Sequence, residues 1–536
     1  MTNRPKFYVY LPIVFALILI LGIFIGSTFH LDNNKDGGSL LVKSSGKYSK
    51  VDEILKYVTE EYVDTITANK LIDKTIVAML AQLDPHSAYI TKEEIADMNE
   101  PLQGNFEGVG VEFNIVDDTV RVVNAIPGGP AEKVGVQAGD KIIMVDGKKA
   151  AGVKITNKGV MEKLKGKGGT KVKVTMMRRG KKALIDFVIT RGTIPIFSVD
   201  VAYMVSARIG YIKISRFAAT TYDEYMEAFK KLQNKGMERL IIDLRGNGGG
   251  YLNTAVSIAD EFLGDGKEIV YTLGKARPRK DYRATSTGSF EHGKLTVLID
   301  DGSASASEIL AGALQDNDRA TIIGRRSFGK GLVQEQSDFA DSSAIRLTIA
   351  RYYTPTGRCI QKSYAKGLEA YYDEEYSRYT SGEMENADSM KVKDTIQFKT
   401  PMGKVVYGGG GITPDVFVPL DTAGHSHYLT EVLYSGLIND FGFDYADKHR
   451  KKLLAYKTVK KFNDDFEVSA ELLNEFVEYA EKNKVPKKEK QIKTSASILK
   501  NQLKAIIART IWNSEGYYPV MQTDDNVLKK AIEVMK

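Results

Sequence analysis

The sequence predicts a multidomain α/β protein, and three observations support this fold class. The chain has 536 residues, which is enough for two to four domains. Short strands and glycine turns fill residues 104–191, whereas strands and helices alternate from Ile194 to about Leu420, the pattern of an α/β core. Helical patterns dominate the rest. We therefore predict a transmembrane helix, a helical segment, a β-rich domain, an α/β core and a helical C-terminal region.

Composition excludes several classes of protein. Hydrophobic residues make up 43% of the chain and charged residues 27%, which is ordinary for a globular protein. The net charge of +7 is small for this length and gives no case for nucleic-acid binding. The only cysteine, Cys359, excludes an intrachain disulfide and a CxxC metal site. The predicted domains are a cytoplasmic stub at 1–6, a transmembrane anchor at 7–29, a tether and helical segment at 30–97, a β-rich domain at 98–192, the α/β core at 193–420 with a surface insertion at 364–390, and the helical C-terminal region at 421–536.

The N-terminus predicts a membrane anchor. Phe7 to Phe29 is a run of 23 uncharged residues, preceded by Arg4 and Lys6. About 20 apolar residues span a bilayer, and a basic flank favours a cytoplasmic N-terminus. A cleaved signal peptide is the alternative, although its apolar region usually has only about 7–15 residues. Both interpretations put the remaining chain in the cell envelope. The first predicts a single-pass inner-membrane protein with its folded part on the periplasmic side.

Two amphipathic helices are expected after the tether. Val51, Ile54, Leu55, Val58 and Tyr62 follow helical spacing. A second apolar set follows at Leu71, Ile72, Ile76, Met79, Leu80 and Leu83. A small helical bundle is the simpler interpretation, and a homodimer through exposed helices is the alternative.

The β-rich segment contains a loop suited to anion binding. Gly108, Val109, Gly110 and Val111 lead into an alternating strand, and glycines allow successive backbone N–H groups to turn toward an anion. The segment as a whole resembles a PDZ domain, above all in GGPAEKVGVQAGDKIIMVDGK. That resemblance implies capture of a peptide's terminal carboxylate and addition of the tail as a strand. A simple hairpin turn is the alternative for the glycines.

Ser305 is a candidate nucleophile. It lies between a predicted buried strand, Leu295–Ile299, and a predicted helix, Ser305–Gln315, where free N–H groups favour developing negative charge. A serine needs a base. None of the six histidines sits in a comparable motif, which leaves a Ser-His-Asp triad unsupported, although chain order alone does not exclude one.

Lys330 is the alternative base. It lies between Gly329 and Gly331, which allow close packing around a buried amine, and burial lowers the pKa of a lysine. From spacing alone, a surface turn at Lys330 and a simple helix cap at Ser305 are the commoner interpretations.

Two core motifs carry a family resemblance that changes this balance. GSASASEILAGAL from Gly302 and FGKGLVQ from Phe328 resemble the C-terminal processing peptidases, or tail-specific proteases. LDPHSAYIT from Leu83, YYTPTGRCIQ from Tyr352 and GGGITPDV from Gly409 also look like family segments. The resemblance implies that Ser305 attacks, that Lys330 is the base and that Gln334 orients the lysine.

The same resemblance implies an oxyanion hole and a regulator. DLRGNGGG from Asp243 is similar to the family's DLRxNPGG, which implies oxyanion donors at the N–H groups of Gly249 and Ala306. Gly248 replaces the usual proline, so the loop is expected to be looser and the hole unformed at rest. A phosphate loop is the alternative, but the GK[ST] ending is missing. Arg178 is a candidate gating residue that would link tail binding to Gln334.

These features predict a membrane-anchored serine endopeptidase that needs no metal or other cofactor. Its expected partners are protein substrates with free C-terminal tails, the membrane, and either a second copy of the chain or an activating partner. The alternative is a non-catalytic peptide-binding scaffold on a peptidase fold, but neither the nucleophile nor the base is missing. A transporter or receptor subunit would need more spans or a signalling domain.

Overall fold

The computed structural model describes residues 49–116, 118–389 and 396–536. The chain divides into two compact units, one ending at Ile76 and one beginning at Val77. The described part of the first unit holds α1 (Ser49–Glu61) and most of α2 (Ala68–Leu80), the two helices expected from the sequence. No helix within the described ranges is long and apolar enough to cross a bilayer, and the predicted anchor lies outside those ranges.

The glycine-rich segment of the second unit folds around a six-stranded sheet. Its elements and those leading into it are β1 (Ala88–Ile90), α3 (Ile95–Gln103), β2 (Asn105–Gly108), β3 (Val111–Val116), β4 (Thr119–Ala125), α4 (Pro130–Lys133), β5 (Lys141–Val145), β6 (Lys148–Lys149), α5 (Asn157–Leu164), β7 (Lys171–Met177), β8 (Ile185–Thr190) and β9 (Gly192–Pro195). The strand order is β3-β4-β5-β7-β8, with β6 beside β5. Helix α5 begins where Thr156 accepts a hydrogen bond from the Gly159 N–H, and it buries Val160 and Leu164 in the sheet's core.

The α/β core is built on a second six-stranded sheet. Its elements, with those of a neighbouring smaller sheet, are β10 (Val199–Met204), β11 (Ile209–Ile214), α6 (Thr221–Gln233), β12 (Arg239–Asp243), α7 (Leu252–Asp260), β13 (Glu268–Leu273), β14 (Lys280–Arg283), β15 (Lys294–Ile299), α8 (Ala306–Asp316), β16 (Thr321–Gly324), β17 (Leu332–Asp338), β18 (Ala344–Tyr353), α9 (Leu368–Thr380), β19 (Gln397–Lys399), β20 (Val405–Tyr407) and β21 (Val416–Phe417). The order is β10-β11-β12-β15-β16-β21, and all neighbours except β10 and β11 are parallel. Strands β12 and β15 are almost wholly buried, as expected for parallel strands covered on both faces.

The helices of the C-terminal region pack in two different places. Its helices are α10 (His427–Tyr434), α11 (Leu437–Leu454), α12 (Val459–Asp465), α13 (Ala470–Lys482), α14 (Glu489–Met521, kinked at Trp512 and Asn513) and α15 (Asn526–Met535). Helices α10 to α14 form an apolar core of their own. Helix α15 instead packs Val527, Leu528 and Ala531 onto the face of the α/β sheet that holds Ile241 and Leu298. The final helix is therefore part of the α/β core.

The smaller sheet brings the lysine motif to the α/β core. Its order is β1-β18-β13-β14, with β17 also paired to β18 in antiparallel fashion. Lys330 lies two residues before β17, and Gln334 lies within that strand. The next step along the chain, β18, carries Arg346 and Tyr352 toward the same place.

Part of the segment 364–390, which was predicted as a surface insertion, forms a helix with one buried face. Residues 368–380 form α9, in which Tyr371 is 1% exposed and Arg378 is 2% exposed. The two residues are seven positions apart, which is two helical turns, so they share one face. That face packs against the loop that carries Lys330, as described below. Too few apolar residues repeat along the helix for its sequence to show this face.

Candidate active site

The loops after β12 and β15 meet at one edge of the α/β sheet. These strands are parallel neighbours, so both chains leave the sheet at the same edge. The Ser303 hydroxyl donates to the Leu244 carbonyl at 2.8 Å, and the Ala304 N–H donates to the Asn247 carbonyl at 3.0 Å. These bonds hold the serine motif against the glycine-rich loop.

Ser305 occupies a sharp turn at the start of α8. Its φ is 55° and its ψ is −113°, a combination that a residue with a side chain rarely adopts. Such a conformation costs about 1–3 kcal/mol and persists only where the surroundings enforce it. The structure thus has the strained turn that the strand–serine–helix pattern predicts.

Glu308 fixes this turn to the lysine loop. The residue is 1% exposed, and its carboxylate accepts four hydrogen bonds from those two loops. The donors are the Ser305 N–H at 2.8 Å, the Lys330 N–H at 2.8 Å, the Gly329 N–H at 2.7 Å and the Ser327 hydroxyl at 2.5 Å. Burial raises the pKa of Glu308, and the donated hydrogen bonds oppose that shift. One side chain therefore sets the separation of the candidate nucleophile and base.

Tyr352 makes a second connection between the same two residues. Its hydroxyl lies within hydrogen-bonding distance of the Ser305 carbonyl, at 3.1 Å, and of the Lys330 carbonyl. A hydroxyl has one proton, so it donates to one carbonyl at a time. Together with Glu308, this residue positions the backbones on both sides of the site.

Lys330 is held in a partly buried position. Its Nζ donates to Gln334 Oε1 at 3.1 Å, and Gln334 Nε2 donates to the His86 carbonyl. Burial lowers the pKa of Lys330, and the nearby positive charge of Arg346 lowers it further, while Glu308 acts in the opposite direction. No hydrogen bond joins the Ser305 hydroxyl to the lysine Nζ in the described part of the chain. These surroundings favour the neutral form of the Lys330 amine more than water does.

A cavity of about 530 Å³ connects these groups. It is lined by Ser305, Lys330 and Gln334, by the glycine loop 248–250, and by Arg346 and Tyr352 from β18. The serine, lysine and glutamine that the sequence singles out are thus brought into one cavity. The cavity is large enough for a short extended stretch of peptide.

The predicted oxyanion donors lie together, but one of them is occupied. A Cβ added to Gly249 would lie 2.9 Å from the Ala306 nitrogen and 2.7 Å from Ser305 Cβ, so the three residues are in close contact. The Ala306 N–H has no hydrogen-bond partner among the described residues, whereas the Gly249 N–H donates to Asn247 Oδ1 at 2.9 Å. In this arrangement the Gly249 N–H is not free to donate to an oxyanion.

The loop between β2 and β3, at Gly108–Val111, has backbone amides without a partner among the described residues. Gly110 has φ 76°, and the N–H groups of Val109 and Gly110 donate to no residue in the described part of the chain. The loop is held from behind by its carbonyls: Gly110 accepts from the Ile126 N–H, and Val109 accepts from the Ala131 N–H.

Arg178 makes its contacts inside the β-rich domain. It follows β7 and donates to both carboxylate oxygens of Asp140, at 2.8 and 2.7 Å, and to the Gly135 carbonyl. No hydrogen bond joins it to Gln334 among the residues described. A gating role for Arg178 stays a prediction, and in this arrangement Asp140 holds the guanidinium.

Several residues at the site were not identified from the sequence. Glu308 and Tyr352 lie within the quoted motifs and Arg346 lies a few residues before one, but no spacing reveals their contacts. His86, within LDPHSAYIT, contributes its carbonyl to Gln334, and its ring Nε2 lies 2.8 Å from the Tyr371 hydroxyl of α9. Burial lowers the pKa of His86 to about 4, so its ring is neutral near pH 7. Its contacts are those of a positioning residue.

Helix α9 supports the lysine loop directly. The Arg378 guanidinium donates to the Ser327 carbonyl at 2.9 Å and to the Phe328 carbonyl at 3.2 Å. Glu374, one turn earlier, accepts from the same guanidinium at 3.0 Å. One face of this mostly exposed helix therefore supports the loop of the candidate base.

Comparison with known proteins defines the family. The sequence profile of Peptidase family S41 matches residues 208–370, and that of the PDZ domain matches residues 108–188. A carboxy-terminal-processing protease of Bartonella bacilliformis is 39% identical over 318 residues, which are 58% of this chain and 72% of that protein. The carboxy-terminal processing protease CtpA of Bacillus subtilis is 32% identical over 66% of this chain and 76% of its own length.

Among solved structures, the photosystem II D1 C-terminal processing protease is similar at 27% identity, over 70% of this chain and 87% of that one, with a TM-score of 0.37. The sequence matches define a serine peptidase with a PDZ domain. More closely, the chain belongs to the carboxy-terminal processing proteases of family S41. Residues 428–513 match a family of unknown function.

Proposed function

We propose that Ser305 and Lys330 form the catalytic dyad of this peptidase, with Gln334 orienting the lysine. The observation that carries the proposal is the shared carboxylate of Glu308, which accepts from the backbone of both residues beside one cavity. A lysine can act as a base only when its neutral form is accessible, and the lowered pKa of Lys330 favours that form. The Gln334 contact at its Nζ gives the amine a defined direction.

The proposed reaction is peptide-bond hydrolysis through an acyl-enzyme. Neutral Lys330 accepts the Ser305 proton as the serine oxygen attacks the scissile carbonyl. The N–H of Ala306, joined by that of Gly249 once it leaves Asn247, donates to the oxyanion. Lys330 then gives its proton to the leaving amine. It next accepts a proton from water, which attacks the ester, and it returns that proton to the Ser305 oxygen as the second product leaves.

Tail capture by the PDZ domain is the second part of the proposal. The free amides of Val109 and Gly110 are suited to a terminal carboxylate, and the outer edge of β3 is suited to an added strand. The substrates would then be proteins with free and extended C-terminal tails. A protein whose tail is amidated should be a poor substrate.

The third part is membrane attachment through Phe7–Phe29, with the peptidase on the periplasmic side of the inner membrane. Its support is the uncharged 23-residue run behind Arg4 and Lys6. Fractionation of cells that express the full chain tests it. Recovery of the intact protein in a salt-washed soluble fraction would contradict the anchor.

The dyad is tested with the full chain in detergent and a loosely folded reporter protein that carries either a free or an amidated C-terminus. We expect Ser305→Ala and Lys330→Ala each to lower the cleavage rate at least about 10³-fold, because a nucleophile and its base act as a unit. Ser337→Ala and Lys366→Ala, at exposed positions, are the matched controls and should cleave normally. Cleavage that survives in Ser305→Ala would identify another nucleophile. Tail binding by the unmutated chain without cleavage would instead favour a scaffold.

The pH dependence should report on Lys330. Because the base must be neutral, kcat/KM should rise with pH through the pKa of this lysine. Arg346→Met removes a positive charge that lowers this pKa, so the rise should move to higher pH, whereas Arg346→Lys keeps the charge and should leave it nearly in place. A rise centred near pH 4 would point to His86 instead. An unmoved profile in Arg346→Met would contradict the assignment of the rise to Lys330.

A further inference from the structure

The far end of the PDZ groove is lined partly by residues from outside the PDZ domain. Strand β3 pairs with β4 on one side and with no described strand on the other, which leaves an edge for an added peptide. Beside this edge lies a cavity of about 620 Å³. Its PDZ lining is Phe113, Asn114 and Ile115 of β3 with Asn157 and Met161 of α5. Its remaining lining is Ser435, Gly436, Asn439 and Asp440, at the turn between α10 and α11.

The C-terminal region is held on the PDZ domain by polar contacts around this cavity. Pairs that cross between the described residues of the two regions include Arg121 with Asp444 at 2.6 Å, Arg179 with Asp447 at 3.5 Å, Asn124 with Asn513 at 3.0 Å, and Glu112 with Arg509. The register of β3 against β4 shifts between Glu112 and Phe113, beside this cavity. Arg509 contacts Glu112, and the α10–α11 turn lines the cavity beside Phe113 and Asn114, so the C-terminal region reaches the strand that would receive the tail at two places.

The direction of the bound tail determines which of its residues lie beside the α10–α11 turn. The candidate carboxylate loop lies just before Val111, at the start of β3. A tail added antiparallel to β3 therefore runs from that loop toward Ile115, with its upstream residues at the far end. Strands rise about 3.4 Å per residue, so the four steps from Val111 to Ile115 span about 14 Å. The α10–α11 turn consequently lies beside the residues about four to six positions before the carboxylate.

We propose that the turn Ser435–Asp440 is the second half of the tail-recognition site and binds this upstream segment. The inference rests on the proposed capture of free C-termini by the PDZ domain. Ser435 and Asn439 are exposed at the cavity and supply a hydroxyl and an amide, which can bond to an extended backbone or to polar side chains. The preferred substrates are accordingly proteins whose last seven or so residues are extended, with polar residues at the upstream positions.

Peptides of different length test this assignment. The protein is the full chain in detergent with Ser305→Ala, which prevents cleavage. The probes are a fluorescein-labelled ten-residue peptide of serine and alanine that ends in valine, its last four residues alone, and the amidated ten-residue form. We expect the ten-residue peptide to bind at least about fivefold more tightly than the four-residue one, because only the longer tail reaches the turn.

A bulky substitution separates the two halves of the site. Asn439→Trp should fill the cavity and remove the advantage of the longer peptide while leaving the four-residue peptide unaffected. Lys451→Trp, on an exposed part of the same helix α11, is the matched control and should behave as the parent. Equal affinity of the parent for the two free peptides, or an unchanged length advantage in Asn439→Trp, would overturn the inference.

A second measurement needs no substitution in the turn. The ten-residue peptide, but not the four-residue one, should slow amide hydrogen exchange at residues 435–440. Equal effects of the two peptides would also overturn the inference. If the parent binds neither free peptide, or binds the amidated form equally well, the proposed capture of free C-termini fails, and the inference fails with it. Short-peptide binding that depends on the carboxylate, without a length effect, would overturn the inference alone.

Discussion

Replacing Gly249 by alanine should reduce turnover about 10²–10³-fold, comparable to the loss of one oxyanion donor. The new Cβ would lie 2.7 Å from both Ser305 Cβ and the Ala304 carbonyl oxygen, distances that force the two loops apart. The φ of Gly249 is 100°, so the substitution also strains the backbone. Both effects displace the Ala306 N–H from the reacting carbonyl. Steady-state kinetics on the free-tail reporter measures the result.

Gly248→Ala is the matched control, because an added Cβ there would meet nothing within 4 Å and its φ lies outside the left-handed region. We expect this neighbour to retain nearly normal turnover. Thermal unfolding of both variants separates a disturbed site from a disturbed fold. Normal turnover in Gly249→Ala would mean that the glycine loop takes no part in the site, and the assignment of Gly249 to the oxyanion hole would be withdrawn.

Glu308→Gln should have a similarly large effect, although Glu308 is not expected to touch substrate. The carboxylate accepts four hydrogen bonds, and an amide offers one fewer acceptor atom and places an NH₂ group against N–H donors. Leaving buried donors unpaired costs about 1–3 kcal/mol each. The loops of Ser305 and Lys330 are then free to separate. We expect kcat to fall at least about 100-fold, because small misplacements of reacting groups cost that much.

The control for Glu308→Gln lies at the other end of the same helix. Asp316 is as deeply buried and pairs with Arg358, both side chains being 0% exposed. Asp316→Asn should therefore lower the unfolding temperature as much as Glu308→Gln does, while turnover per folded molecule stays closer to normal. Equal losses of turnover in the two variants would show that general destabilisation accounts for the effect of Glu308.

The motifs of the site were predictable because each consists of consecutive residues. Ser305 follows a buried strand and precedes a helix, and glycines flank Lys330. The spacing alone favoured a surface turn at Lys330, so it was the family resemblance of these consecutive residues that singled out both side chains. The partners that hold these residues come from distant positions. Arg378 donates to the Ser327 carbonyl, 51 residues earlier in the chain. The tyrosine-rich segment that contains Arg378 has no periodicity that indicates this contact. Glu308 is visible as a helix-start acid, but its bonds to residues 327–330 exist only in the folded chain.

The same limit applies to the fold. The strands β12 and β15 were predictable as apolar runs, since burial on both faces removes the need for polar alternation. The position of α15 was not predictable. An amphipathic pattern indicates that one face of a helix is buried, but it does not indicate which element packs against that face. Its partner sheet precedes it by more than 100 residues in the chain. The contact between the α10–α11 turn and the PDZ groove depends likewise on charged pairs between distant domains.

The strained turn at Ser305 also bears on how this sequence could change over time. A residue with a side chain at φ 55° and ψ −113° lowers the stability of the fold, and glycine would adopt those angles at less cost. In a lineage released from cleaving peptides, mutations that relax this turn would be favoured by stability alone. A chain that had long served only as a scaffold would thus be expected to lose the serine early. Continued selection for a reactive hydroxyl would keep Ser305 in this strained conformation.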